Sequence, residues 1–260
     1  MIYFGRAAFL LSKPGIKSQL LSFYKRLFGE IDPHSLIRWR AIWPMIEKAE
    51  KTLDVGCGNG IFTFDLAKKA NGNVIGLTYI KKELEYSTRL KEAYELRYNK
   101  CNVDFLIGDI LELEKLDTLF GQVLCVDVIE HIENDKEAFS QMYRVLKPGG
   151  CLVLSTITKE YPKYFGYKFH RAIGHVREGY SLRDLRQLLE AVGFEVEETI
   201  YHSKSIAKPI GILFYKREIL RAHPLVMYVI HPLLSVLSLL DPVFPNKNPL
   251  GIAVKARKVT

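Results

Sequence analysis

Hydrophobic and polar positions follow two periods along this chain. Between residues 51 and 202, short runs rich in β-branched and aromatic residues alternate with longer segments of helical period. That is the pattern of a parallel sheet whose strands are joined by crossover helices. Strands are predicted at 52–56 (TLDVG), 73–78 (NVIGLT), 103–107 (VDFLI), 122–127 (QVLCVD), 151–157 (CLVLSTI) and 194–200 (FEVEETI). Helices are predicted near 60–70, 81–97, 134–146 and 182–192. Ser181 is the expected N-cap of the last helix and Gly193 its stop. Gly149 and Gly150, after Lys147-Pro148, are expected to end the preceding helix and turn into the fifth strand. The fold class is α/β, doubly wound.

Two helical segments precede this core. From residue 16 to 31, Ile16, Leu20, Phe23, Leu27, Phe28 and Ile31 fall on one face, with Lys13, Lys17, Lys25 and Arg26 mostly elsewhere, which predicts a basic amphipathic helix. A second helix is expected over about 35–49. The apolar stretch Ala7 to Leu11 is too short for the core of a secretory signal and no cleavage site follows it. An intracellular protein is therefore expected.

Beyond the core the pattern changes. Pro224 to Leu240 is seventeen residues without an acid, Lys or Arg, and Ile210 to Tyr215 is a shorter apolar run. A membrane span needs roughly 20 residues, and Pro224, Pro232 and His231 make a poor straight one. PLGIAVKARK, from Pro249 to Lys258, has the alternation of one more strand. Residues 203–248 then form an insertion between two strands of one sheet. Such an insertion must return to the side it left, as a lid, a re-entrant loop or a hairpin in the membrane interface. The domain division is 1–50 N-terminal helices, 51–202 core, 203–248 hydrophobic insertion, and 249–260 closing strand.

Charge sharpens this division. The net +8 is carried by the flanks: residues 1–50 hold eight Lys/Arg against four Asp/Glu, and residues 203–260 hold nine against two. Basic flanks around a near-neutral core point to an anionic partner, whether a phospholipid surface, RNA or an acidic substrate. The four cysteines show no CxxC spacing, so neither a disulfide scaffold nor a zinc site is expected from them.

The candidate chemistry begins at LDVGCGNG, Leu53 to Gly60, between a strand and a helix. Glycines there let backbone amides approach a ligand at the helix N-terminus, and a carboxylate just before the turn orients a polar group. With IGDIL (107–111), CVDVIEHI (125–132), RVLKPGGCLVLST (144–156) and LLEAVGFEV (188–196), in that order, the chain resembles the class I S-adenosylmethionine-dependent methyltransferases, and within them the type 11 and quinone-biosynthesis group. The resemblance covers about 51–202 and the closing strand. It implies a Rossmann-like sheet, mostly parallel with a final antiparallel strand, and S-adenosyl-L-methionine as cofactor.

Carried over by position, the resemblance places Gly56, Cys57, Gly58 and Gly60 in the loop around the methionine portion. Asp54 is similar to the acid that organises that loop and the cofactor's amino group. Asp109 resembles the acceptor of the adenine amino group, with Ile110 beside the ring. Val126 and Asp127 fall near the methionine moiety. Helix or turn capping is the other reading of Asp54 and Asp109. One position departs: relatives carry Asp or Glu at the end of the second strand, against the ribose hydroxyls, whereas here Thr78 is followed by Tyr79. A single uncharged hydroxyl predicts weaker ribose binding, or binding shared with Tyr79. NVIGLT also resembles the cyclopropane-synthase branch, a pointer to lipid substrates.

Methyl transfer from a sulfonium needs mainly alignment and exclusion of water, with alignment worth about 7 kcal/mol or more. A base is needed only where the acceptor has a proton to lose. His131, in the EHI string, resembles a residue facing the acceptor in quinone-biosynthesis enzymes; it is either a base or a histidine shaping the pocket wall. His175 is a second base candidate, with structural placement as its other reading. His170, Arg177 and Tyr180 fall at the same carboxyl edge, and Tyr161, Tyr164 and Tyr167 either line an acceptor pocket or cover the sheet. The function expected is methylation of a small lipophilic acceptor, a quinone precursor, isoprenoid or lipid, at oxygen or carbon. It would take place on an anionic membrane, peripherally on its inner cytoplasmic face. The alternatives are a soluble methyltransferase with the insertion as lid or dimer interface, an RNA methyltransferase, and a cofactor-binding subunit without turnover. The RNA reading is weakened because the fourth strand lacks the Asn/Asp-Pro-Pro-aromatic string of base-amino enzymes.

Overall fold

The computed structural model describes residues 5–11, 16–28, 33–209, 224–243 and 248–259. Seven strands are present: Lys51–Val55 (β1), Asn73–Thr78 (β2), Val103–Ile107 (β3), Phe120–Val126 (β4), Leu146–Ile157 (β5), Phe194–His202 (β6) and Gly251–Lys258 (β7). They form one sheet in the order β3-β2-β1-β4-β5-β7-β6. β7 runs antiparallel to both its neighbours and the rest are parallel, as expected for the fold class.

The helices are Ile16–Phe28 (α1), Pro33–Ile42 (α2), Thr63–Ala70 (α3), Lys81–Tyr98 (α4), Asp135–Arg144 (α5), Glu160–Phe165 (α6), Tyr167–Ala172 (α7), Leu182–Ala191 (α8) and Pro224–Leu237 (α9). Because parallel strands are covered on both faces, they read as continuous apolar runs. One face packs Leu53, Val55, Phe120 and Val123 against Phe139, Met142, Leu185 and Leu189. The other packs Val74, Leu124 and Val153 against Leu36, Trp39, Ile42 and Met45 from the segment before β1. Each such fully buried side chain contributes about 2 kcal/mol of transfer free energy.

Several boundaries differ from the sequence expectation for identifiable reasons. α3 opens at Thr63 because the glycine loop before it turns through left-handed backbone at Gly56, Gly58 and Gly60. The helix expected to 146 ends at Arg144, and β5 starts at Leu146, which pairs with Phe120 ahead of a register shift. The second N-terminal helix stops at Ile42, where Pro44 shapes a 3-10 turn, Trp43–Met45. Residues 160–172, given no elements from sequence, form two short helices separated by Gly166 at φ +94°. Ser181 caps α8 with a reciprocal capping box: Asp184 N–H donates to Ser181 Oγ at 3.1 Å, and Ser181 N–H to Asp184 Oδ2 at 3.0 Å.

The flanks meet each other. Of the apolar stripe expected on the first helix, Leu20, Phe23 and Leu27 are 67%, 61% and 43% exposed and Phe28 is half-buried. Ile31 and the run Ile210 to Tyr215 lie outside the described residues. α9 packs on α2, where Arg40 donates to the Ser235 carbonyl at 3.1 Å and to Ser238 Oγ. It also meets α1, where Tyr24 and His231 share a hydrogen bond of 2.8 Å. The insertion starts and ends at one point: His202 pairs with Gly251 across β6 and β7, and Leu250 N–H donates to the Ser203 carbonyl at 3.0 Å. Among the described residues, no helix is long and apolar enough to cross a membrane.

Candidate active site

The strand order reverses at β1: the chain runs outward through β2 and β3 on one side of it and returns to begin β4 on the other. At such a switch point the loops leaving the carboxyl ends diverge and open a crevice. Here the crevice holds about 760 Å³. Its walls come from the loop after β1, the ends of β2 and β3, and the turn after β4.

In the first wall, Gly56, Gly58 and Gly60 have φ of +70°, +56° and +74°. A Cβ at Gly56 would fall 2.3 Å from Val128 Cγ2, and one at Gly60 2.4 Å from Phe105. Gly58 has nothing within 4 Å and lines the crevice, so its glycine is demanded by the backbone angle and leaves open space for a ligand. Asp54 lies behind this loop, 4% exposed, and accepts from Thr63 Oγ1 at 2.7 Å. Burial raises its carboxyl to about 6, a rise that the Thr63 bond restrains.

Cys57 does not face the crevice. Its Sγ lies against Gly76 on the sheet, its amide donates to the Leu77 carbonyl at 2.9 Å, and burial pushes its thiol well up. Gly60 and Val126 likewise stand behind the lining, as Asp54 does.

At the end of β2, Thr78 is 2% exposed and its hydroxyl is committed: it donates to Glu83 Oε2 at 2.5 Å and accepts from Ile80 N–H at 3.2 Å. Glu83, in the first turn of α4, lines the crevice. A carboxylate therefore does stand at this strand end, from Glu83 five residues later, with Thr78 as its anchor. Tyr79 is 76% exposed at the rim. After β3, Asp109 lines the crevice while its Oδ1 accepts from Leu111 N–H at 2.9 Å, so it caps the following turn, and Ile110 lies beside it.

Asp127, at φ +54°, follows β4 in the lining and forms an ion pair with Arg38 of α2. His131, Ile132 and Ile173 close the far end. His131 Nδ1 donates to the Gly174 carbonyl at 3.0 Å. His175 stands beside it, ring centroids 4.7 Å apart, outside the lining. Burial and the neighbouring imidazoles of His131 and His170 hold His175 down at about 3, so it is neutral. Glu130, 1% exposed, accepts from Thr156 Oγ1 at 3.0 Å, and burial together with Asp127 pushes its carboxyl up. Tyr161 is buried against His175, and Tyr180 donates to Asp135 at 3.0 Å beside Arg177, so both support the loop rather than the crevice.

Residues 46–210 match the methyltransferase domain family. The chain belongs to that family. S-adenosyl-L-methionine is the cofactor of the class I enzymes it joins. The methyltransferase chain is 31% identical to phosphoethanolamine N-methyltransferase 3 of Arabidopsis thaliana over 69% of its own length and 36% of the relative's. It is 34% identical to the ubiquinone biosynthesis O-methyltransferase of Rickettsia typhi (strain ATCC VR-144 / Wilmington) over 43% of each. The matches thus span about two-fifths of these curated relatives. The fold is similar to a SAM-dependent methyltransferase from Archaeoglobus fulgidus, with a TM-score of 0.57 and 18% identity over 92% of this chain and 99% of that one.

Of the residues singled out from sequence, the crevice gathers Gly56, Gly58, Thr78, Tyr79, Asp109, Ile110, Asp127 and His131. Sequence reasoning missed Glu83, Arg38 and Glu130. An acid in the first turn after a strand was a visible signal for Glu83. For Arg38 there was none, because its partner lies on another element.

Proposed function

We propose that this methyltransferase acts on a small lipophilic acceptor held at an anionic membrane surface, with S-adenosyl-L-methionine as donor. When bound, the cofactor supplies a methyl group already activated on a sulfonium. The chain's residues fit it: Gly58 leaves the space, Glu83 offers paired oxygens to the ribose hydroxyls, Asp109 accepts from the adenine amino group, and Asp127 faces the methionine portion. Asp54 organises the glycine loop from behind. At the far end His131 presents Nε2 as a lone pair on the acceptor side, and Ile132 and Ile173 exclude water.

The observation that carries the membrane reading is where the insertion springs from. His202 and Gly251 lie at the carboxyl edge of the sheet, the edge on which the crevice opens. From there α9 and the turn after it expose Leu233, Val236, Leu237, Leu239, Leu240 and Val243. α1, joined to α9 through Tyr24, adds Leu20, Phe23 and Leu27. Exposed apolar side chains on two joined helices, on flanks rich in Lys and Arg, have the chemistry of an interfacial element on anionic lipid. The chain would then lie peripherally on a cytoplasmic leaflet.

Flotation with liposomes containing phosphatidylglycerol tests this. Binding should fall with salt and leave a salt-resistant remainder from apolar insertion. Leu233→Asp with Leu240→Asp should remove that remainder and leave cofactor affinity intact. A wild type that never floats, or a double variant that floats as well as wild type, returns the insertion to a lid or a dimer face.

A further inference from the structure

Three donor side chains from two separate stretches of chain meet at the acceptor end. Glu130 and His131 belong to the 3-10 turn Ile129–His131, and His175 to the loop after α7. One ligand atom from each lies within 4.8 Å of the other two.

Hydrogen bonds decide which nitrogen of each ring is available. A backbone carbonyl only accepts, so the proton of His131 is on Nδ1, toward Gly174 O at 3.0 Å, and Nε2 is bare. His170 donates through Nε2 to the Arg177 carbonyl at 2.8 Å, which leaves its Nδ1 an acceptor. His175 Nδ1, 2.9 Å from that atom, therefore donates, and His175 Nε2 is bare too. Each ring of the cluster thus keeps one bare nitrogen beside a buried carboxyl group and is oriented through its other nitrogen. Metal-ligating histidines are held in this way, by a carbonyl or another polar group on the far nitrogen.

The loop carrying His175 is itself pinned. Val176 N–H donates to the Glu130 carbonyl at 3.0 Å, and the Arg177 guanidinium bonds Asp135 Oδ2 at 2.5 Å, the Glu133 carbonyl at 3.0 Å, and the Ile132 carbonyl. Gly174, at φ +87°, lets the chain turn over His131.

We propose that Glu130, His131 and His175 bind a divalent transition-metal ion whose open position takes an oxygen of the acceptor. Two nitrogens and a carboxylate suit zinc, iron or manganese, and three protein ligands leave room for a fourth. Ligand atoms about 2.1 Å from a tetrahedral ion lie about 3.4 Å apart, so side-chain rotations of about an ångström close the cluster. Ion binding stands by itself; the acceptor oxygen rests on the methyltransferase reading.

The test is calorimetric titration of the chelator-treated full chain with Zn²⁺, with Co²⁺ as an optical probe of coordination, in the absence of cofactor and acceptor. One ion per chain is expected. His131→Gln and His175→Gln should each weaken Zn²⁺ at least 100-fold, and His170→Phe, which removes only the orienting partner, 10- to 100-fold. Far-UV circular dichroism and melting without metal confirm that these variants fold, and Glu130→Gln is added if it does. No stoichiometric binding, or equal binding by wild type, His131→Gln and His175→Gln, overturns the site. Intact ion binding with methyl transfer unaffected by chelation overturns the acceptor half alone.

Discussion

Asp54→Asn removes one buried negative charge and changes little else in shape. In the wild type, burial raises this carboxyl from 3.8 to about 6. Keeping it ionised at neutral pH therefore costs about 3 kcal/mol relative to an exposed aspartate. The folded pKa lies above the unfolded one, so the folded state binds more protons between the two. Stability is then highest below about pH 4, falls as pH rises to about 6, and is level above. Denaturant unfolding should show this slope in wild type and a flatter one in Asp54→Asn. The variant should be 1–2 kcal/mol more stable at pH 7.5, since the amide must still satisfy its own hydrogen bonds (roughly 1 kcal/mol each). A cationic ligand in the crevice favours the ionised form, so binding S-adenosyl-L-methionine at pH 5.5 should release roughly 0.7 of a proton. Calorimetry in buffers of different ionisation enthalpy reads that number directly. Asp54→Asn should bind at least tenfold more weakly and release none. Equal pH slopes in the two proteins, or binding enthalpies independent of buffer at pH 5.5, would refute the assignment of Asp54 as the charge behind the loop.

The remaining predictions are independent of that one. Glu83→Gln should weaken cofactor binding about tenfold by calorimetry, the loss of a charge-assisted hydrogen bond, and Thr78→Val less, since it only frees Glu83; unchanged affinity in Glu83→Gln would remove it from the ribose site. Leu234 is buried at 7% beside Leu233 at 60%, so Leu234→Asp should cost about 3 kcal/mol or more in unfolding free energy while Leu233→Asp stays within about 0.5 kcal/mol. Glu47, bonded to Lys255 and Arg257 with its side chain 39% exposed, has its carboxyl drawn down from 4.5 to about 2, first by the Arg257 hydrogen bond. Its folded pKa lies below the unfolded one, so the stability it adds is present above pH 4.5 and lost as pH falls through about 2; Glu47→Gln should cost about 1 kcal/mol at pH 7 after solvent screening, and only a small fraction of that at pH 2.

The legible parts of the chain were those set by local physics. Period-two and apolar runs gave every strand of the sheet, Ser181 announced its capping box, and the glycine string located the crevice. What stayed hidden depended on contacts between distant elements. Thr78 was read without the partner of its hydroxyl, Glu83, because that residue was taken only as part of a helix. His131 and His175 were each read as a base candidate, but 44 positions separate them, and nothing along the chain shows that Gly174 and His170 fix both rings in one cluster with Glu130. The first helix was read correctly as amphipathic. Leu20, Phe23 and Leu27 of its apolar stripe are exposed, because α1 meets α9 at Tyr24 rather than along those residues.

The central claim is that the chain moves a methyl group from S-adenosyl-L-methionine to a lipophilic acceptor held in a membrane. Incubation with methyl-labelled S-adenosyl-L-methionine and vesicles made from total lipid extract, followed by phase separation, tests it directly. The account predicts label in the organic phase, dependent on the vesicles and lost in the Leu233→Asp, Leu240→Asp double variant although that variant still binds cofactor. Label confined to the aqueous phase, or label in lipid that the double variant transfers as well as wild type, would contradict it.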